Sequence, residues 1–282
     1  MKLHFLKMHG AANDFVMIDD REGRVPWQDH FLMAALACRR TGVGCEGIIL
    51  IQKSNRADFR MRFLNPDGTE VGMCGNGSRC AAAFAHRLGV VSGRSMTMET
   101  ASGLLDAEIG EDGAVRVWMP EPDKRKWQIR VPLADGTFIE GDFVDTGVPH
   151  FVVEVPEVAK VDVVGLGRQL RLHPTFAPEG TNVDFMTLRP GNRLAMRTYE
   201  RGVENESGAC GTGAVACAIV AVERKCYTLP VQIRTPSGFE LQVDGQWWDG
   251  KCTALTLTGP SKVVYEGDIE LDTLTLENEM ME

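Results

Sequence analysis

"GMCGNGSRC" (residues 72–80) and "SGACGTGAVAC" (residues 207–217) present the same glycine-wrapped cysteine twice, and the fold is decided by how that repetition is read. Aligned on Cys74 and Cys210, "EVGMCGNG" and "ESGACGTG" agree at Glu, Gly, Cys, Gly and Gly. A tight turn around a packing cysteine would explain either copy alone. Both copies, however, follow a β-type run and precede an Ala-rich helical run, and this shared context points to an internal duplication with a site formed between its two halves.

Working outward, the first half alternates short β-type runs with Gly, Asp, Asn or Pro turns: "HFLKMHG", "FVMIDD", "GIILIQK", "DFRMRFLN", "SMTMET", "LDAEIG" and "AVRVWMP". Residues 30–40 and 80–88 break that rhythm with the i, i+3, i+4 spacing of helices. After the Pro-rich stretch "PEPDKRK" (residues 120–126) the same texture restarts with "WQIRVPL", "HFVVEV", "NVDFMTLR" and "AMRTYE", then a helix from about Thr212 to Arg224, then "VQIRT", "FELQVDG" and "TALTLTG". A domain boundary near residue 121 follows, giving domains 1–120 and 121–262. The acidic end "LENEMME" is expected to fray.

The chain has 282 residues, 44% of them apolar and 24% charged, which suits a globular protein of one large or two ordinary domains. A net charge of −9 argues against a nucleic-acid partner, since phosphate-backbone affinity needs clustered Lys and Arg. The longest uncharged run, residues 207–222, falls short of the ~18 residues of a spanning helix, so no membrane partner is expected. "MKLHFLKMHGAANDF" has its apolar residues broken by Lys7 and His9 and lacks a signal-peptide core; the expectation is a cytoplasmic protein with its eight cysteines reduced. No Cys-x-x-Cys occurs, and no metal is expected.

Each repeated cysteine lies at a Gly-rich helix entry, where backbone N–H groups lack intrahelical partners and the dipole presents positive charge. Such a place favours a thiolate that can act as a base, and it can hold a carboxylate. Two such entries face to face would suit inversion at a carbon α to a carboxylate: one sulfur removes the proton, and the other returns one from the opposite side. Many enzymes spread the resulting carbanion into a pyridoxal imine, but no lysine site for that cofactor stands out, and none is expected. The helix-start N–H groups would then stabilise the developing oxyanion. Cys80 and Cys217, deeper in the helices among alanines, read as core residues.

These residues closely resemble the diaminopimelate epimerase family. The likeness covers nearly the whole chain through "MHGAANDF" (residues 8–15), "FLNPDGTEVGMCGNGSRC" (63–80), "TGVPHF" (146–151), "TNVDF" (181–185) and "YERGVENESGACGTGA" (199–214). It implies an α/β (α+β) fold of two pseudo-symmetric domains. Each is a curved, mostly antiparallel sheet wrapped around a central helix, with the active site in the cleft between them and the strand at about 263–282 returning to the first domain. It further implies cofactor-independent interconversion of LL- and meso-2,6-diaminopimelate, in lysine and peptidoglycan-precursor synthesis, by a homodimer. Cys74 and Cys210 would be acid and base, with His150 and Glu200 in support. Gly75, Asn76, Gly211 and Thr212 would bind the reacting carboxylate; Asn13, Asn65, Asn182, Glu200 and Arg201 would line the pocket and hold the distal end. The chain departs from the family pattern at Ala12, Glu46, Gly47, Val148 and Ser207, and by one extra residue between Arg201 and Cys210. Two other readings stay open: a racemase of another amino acid, of histidine or proline type, and a non-catalytic anion-binding or redox-sensing protein.

Overall fold

The computed structural model describes residues 1–274, so the acidic end lies outside the described residues. The chain divides into two compact units, Met1–Val117 with the residues from Pro260 onward, and Trp118–Gly259.

In the first unit the elements run β1 (Lys2–Gly10), β2 (Asn13–Asp19), α1 (His30–Ala37), β3 (Gly47–Gln52), β4 (Phe59–Leu64), β5 (Glu70–Val71), α2 (Gly75–Arg87), β6 (Ser95–Thr100), β7 (Gly103–Ile109) and β8 (Val115–Trp118). The second carries β9 (Arg125–Pro132), β10 (Phe138–Asp145), β11 (Pro149–Glu154), α3 (Val163–Arg171), β12 (Asn182–Arg189), β13 (Arg193–Glu200), β14 (Asn205–Ser207), α4 (Gly211–Glu223), β15 (Val231–Arg234), β16 (Glu240–Trp248) and β17 (Lys251–Gly259). The chain then returns to the first unit as β18 (Lys262–Glu270), antiparallel to β1.

Strand pairing makes the duplication explicit. In the second unit β9, β10 and β11 pair antiparallel in turn, β11–β12 is parallel, β12–β13 antiparallel, β13–β15 parallel, and β15–β16–β17 antiparallel. The first unit repeats that series with β18 in the place of β9, then β1, β2, β3, β4, β6, β7 and β8. The short strands β5 and β14 hang on β4 and β13 in the same way. One element order therefore builds both units, except that the first borrows its opening strand from beyond the second.

Alternation along the central strands sends side chains to two faces. In "GIILIQ", Ile48 and Leu50 join the core under α1 with Val16 and Ile18, while Ile49 lies against the start of α2. Being apolar on both faces, β3 reads as a continuous hydrophobic run, as a doubly covered strand must. In β12, Val183 and Phe185 enter the core under α3, while Asp184 points to the start of α4. Eleven of the thirteen residues of α4 are buried, which an amphipathic surface helix could not tolerate. This is why "GTGAVACAIVAV" carries no charge.

Helix α2 begins at Gly75, about a turn before the expected start at Cys80, because the glycine run is itself the first helical turn. Helix α3, capped by the Asp162 side chain on the N–H of Gly165, was hidden in "DVVGLGRQLR" by its two glycines.

Candidate active site

Cys74 and Cys210 occupy one position in the two copies. Each is the N-cap of its helix, with extended backbone, and each sulfur accepts the N–H of the glycine three residues on, Gly77 or Gly213, at 3.4 Å. The intrahelical ladders start with the N–H of Ser78 on the Cys74 carbonyl and of Ala214 on the Cys210 carbonyl. The N–H groups of Gly75, Asn76, Gly211 and Thr212 precede those ladders, in the first turn of a helix, a place suited to an anion.

The duplicated glutamate is structural. Glu70 pairs with Arg62 at 2.5 Å, and Glu206 accepts from Arg197 Nε and Nη2 at 2.7 and 2.6 Å. In each unit this clamp fixes the short strand that leads into the cysteine loop.

Registers around the two helix starts match residue for residue. A methyl group added to Gly77 would meet Ile49 and Met61; one added to Gly213 would meet Asp184 and Met196. Ile49 therefore corresponds to Asp184, and by strand pairing Phe15 corresponds to His150, Leu64 to Tyr199, and Asn65 to Glu200. Equivalent places hold different chemistry.

In the first unit, the two-residue turn Ala11-Ala12 has φ of 55° and 72°, a left-handed pair that ordinarily calls for glycine or asparagine. The N–H of Ala12 donates to His9 Nδ1 at 3.2 Å, and the hairpin delivers Asn13 to the helix start. Glu46 accepts from the Asn13 amide nitrogen. This turns the amide oxygen toward Cys74 Sγ, at 3.6 Å, and toward the Asn76 amide, at 3.2 Å. Arg79, fully buried, donates to the Asn76 side-chain oxygen at 2.7 Å and to the Gly75 carbonyl at 3.3 Å. Burial pushes its guanidinium down to about 10, whereas an anion at Cys80 or Cys74 acts to raise it. By reciprocity, the Arg79 cation favours negative charge at this helix start. Asn65 closes the turn after β4, bonded to Thr69 and Gly68 through its backbone.

In the second unit, the site is polar and closed. His150 and Asp184 are fully buried, with Nδ1 and Oδ2 2.7 Å apart. His150 Nε2 lies 2.9 Å from Thr212 Oγ1, which lies 3.4 Å from Cys210 Sγ. Burial drives the Cys210 thiol well above its ordinary range, and the charges of Glu200 and Asp184 push the same way; the Thr212 hydroxyl and the Gly213 N–H do not offset them. A helix start alone would favour thiolate, but here desolvation and two carboxylates win. Asn182 donates to the Pro149 carbonyl at 3.0 Å and accepts the Arg201 N–H at 2.8 Å, so its side chain ties the β11 entry to the β13 exit. Arg201 is half-buried, with Glu179 4.0 Å away, and Glu200 ends β13 opposite Asn205.

A family model described as diaminopimelate epimerase matches residues 5–124 and 143–264. The diaminopimelate epimerase of Aquifex aeolicus is 41% identical, the match covering 96% of this chain and 99% of that protein. The chain belongs to the diaminopimelate epimerase family. The enzyme of the same name from Chlorobaculum tepidum is 38% identical over 94% of this chain and all of its own length. Among solved structures, a phenazine biosynthesis protein of the PhzF family from Bacillus anthracis superposes with a TM-score of 0.75 at 16% identity, covering 96% of this chain and 99% of that one, a likeness of fold.

The structure thus brings Asn13, Gly75 and Asn76 around Cys74, and His150, Gly211 and Thr212 around Cys210. Asn182 and Arg201 meet each other rather than a sulfur. Glu46, Arg79 and Asp184 bond to Asn13, Asn76 and His150, and Thr198 bonds to Asp184, contacts that the sequence does not signal. The one sequence signal for Asp184 is a carboxylate in "NVDFMT", a strand otherwise patterned for burial on both faces. Among the described residues no helix is long and apolar enough to cross a membrane, and no group of three His, Cys, Asp or Glu side chains could hold a metal ion.

Proposed function

We propose that the protein interconverts LL- and meso-2,6-diaminopimelate without a cofactor, Cys74 and Cys210 serving in turn as base and acid on the two faces of one α-carbon. The reading is carried by one observation: the two copies of the fold place an equivalent cysteine as the N-cap of a buried helix start. The N–H groups of Gly75, Asn76, Gly211 and Thr212 would take the reacting carboxylate and the negative charge that grows on it as the α-proton leaves. Arg79 would add a fixed positive charge behind the first of these sets.

His150 and Glu200 support the thiol chemistry in the second unit. Asn13 and Asn65 line the pocket, and Glu200 and Arg201 hold the distal ammonium and carboxylate, an assignment that suits a planar guanidinium and a carboxylate acceptor. Asn182 acts by fixing the Arg201 backbone. We place the activity in the cytoplasm, in lysine and peptidoglycan-precursor synthesis, and expect a homodimer with no nucleic-acid or membrane partner.

Incubation with each isomer in D2O should put deuterium at one α-carbon and give the other isomer, and Cys74→Ala and Cys210→Ala should each abolish turnover. Histidine, proline and hydroxyproline offered in the same chiral assay should stay unchanged. Wild-type protein that exchanges neither diaminopimelate isomer, or a single cysteine variant that still epimerises, would falsify the reading.

A further inference from the structure

The two helix starts share a backbone but differ in what lies beneath them. Under Cys74 the equivalent positions carry Phe15, Ile49 and Phe63, and the two aromatic rings meet edge to face with centroids 6.0 Å apart. Under Cys210 they carry His150, Asp184 and Thr198. The registers place these two trios on the same face of the same three strands.

Asp184 accepts from the Thr198 hydroxyl at Oδ1, 2.6 Å, and meets His150 Nδ1 at Oδ2, 2.7 Å. With Asp184 ionised and His150 neutral, Nδ1 donates to the carboxylate, and Nε2, 2.9 Å from Thr212 Oγ1, is the ring's acceptor. The Thr212 hydroxyl then donates to Nε2, and its oxygen can accept the S–H of Cys210. Four groups form one directed line, from a buried carboxylate to a buried sulfur.

We propose that Asp184 is a positioning residue which, through His150 and Thr212, gives Cys210 a built-in proton acceptor within the second unit. This extends the epimerase reading and rests on it. The Cys210 S–H bond breaks as its proton passes to Thr212 Oγ1, while the Thr212 proton passes to His150 Nε2. The products are a thiolate and an imidazolium beside the Asp184 carboxylate, no electron changes owner, and the reverse shift restores the thiol. Such a line is needed because burial, Glu200 and Asp184 all oppose a lone thiolate at Cys210. A positive charge arising on His150 balances the new negative one. Among the described residues, Glu200 and Asp184 are the charges that act on this sulfur, His150 reaches it through Thr212, and Cys217 lies further along α4.

Asp184→Asn keeps the size of the side chain, but its amide can donate to Nδ1 and flip His150 to the Nε2–H tautomer, which cannot take the proton. Nitrogen-15 NMR of the ring nitrogens, with His150 identified among six histidines by its loss in His150→Gln, should show Nδ1–H in the wild type and Nε2–H in D184N. Turnover of diaminopimelate should fall about 100-fold in kcat, the low end of a general acid–base contribution, with KM changed less than about threefold. Thr212→Val should leave the tautomer as in the wild type and lose kcat similarly, and Thr212→Ser should recover it to within about fivefold. An Nε2–H wild type, an unchanged tautomer in D184N, or T212V as fast as T212S would each overturn the relay. If D184N does not fold, the wild-type tautomer and the Thr212 pair decide. The tautomer needs no substrate, so a wild type with Nδ1–H that turns over neither isomer keeps the line of bonds and sinks the epimerase reading instead.

Discussion

Replacing Gly77 and Gly213 by alanine, one at a time, asks the same question of the two copies and should give unequal answers. Both glycines sit in the first helical turn, with φ outside the left-handed region, so alanine is conformationally acceptable and gains about 1 kcal/mol of helix propensity at most. At Gly77 the new methyl would meet Ile49 Cδ1 at 3.0 Å and Met61 Cε at 3.3 Å, the free ends of flexible side chains. A displaced rotamer costs about 0.5–1.5 kcal/mol, so the net change should stay within about 1 kcal/mol of zero. At Gly213 the methyl would fall 2.3 Å from Asp184 Oδ1. That oxygen cannot retreat without loosening the bonds to Thr198 and His150, each about 1.5–3 kcal/mol for a charged partner. After the helix gain, Gly213→Ala should destabilise by about 2–5 kcal/mol. Urea unfolding followed by circular dichroism, comparing midpoints at equal m, measures both. Midpoints displaced equally by the two substitutions would refute the assignment of Ile49 and Asp184 to one place in a repeated fold.

Thiol labelling should follow burial. Cys38 is held below its ordinary value by the Thr41 hydroxyl and nearby backbone N–H groups, whereas burial pushes Cys45 up to about 11 and Cys80 up to about 12. Iodoacetamide at pH 7.5 should therefore modify Cys38 well before the other two, read by peptide mass spectrometry; earlier labelling of Cys45 or Cys80 would contradict their packing. Asp14 should set part of the acid limit. Burial raises its carboxyl, but Arg39 at 2.7 Å and Lys7 at 2.6 Å outweigh that and hold it below the usual value. A depressed folded-state value adds stability that is full above the unfolded value of about 4 and is lost as pH falls through the folded one. Unfolding midpoints of the wild type and Asp14→Asn should differ at pH 6 and converge toward pH 2.5; a constant gap would count against it.

Much of the architecture was legible because the signals were local. Alternating runs such as "DFRMRFLN" and "VQIRT", and the Ala-rich helix from about Thr212, fall where their periodicities put them, while α2 starts five residues before its Ala-rich run; the resemblance of "EVGMCGNG" to "ESGACGTG" accompanies a repeated strand order. What stayed hidden depends on contacts far apart in sequence. Nothing near Arg79 says that its guanidinium turns back on Asn76. Thr198 and Asp184 are fourteen residues apart across a strand pair, and only the register brings them under Cys210. Departures from the family pattern likewise take effect through the fold: Glu46 accepts the Asn13 amide and so orients it, and the Ala11-Ala12 turn keeps the left-handed shape that a glycine would have taken at less strain.

The borrowed strand β18 has a consequence for synthesis on the ribosome. Lys2 pairs with Glu270, so the first unit closes with one of the longest possible separations in the chain, while every strand of the second unit lies within a single continuous stretch. During elongation the second unit can complete its sheet while β1 still waits with an open edge, exposed to any other extended segment. Folding the second unit first also shortens the effective loop that β18 must close, because a compact body replaces a long flexible tether. The half of the protein made first is thus the half that finishes last.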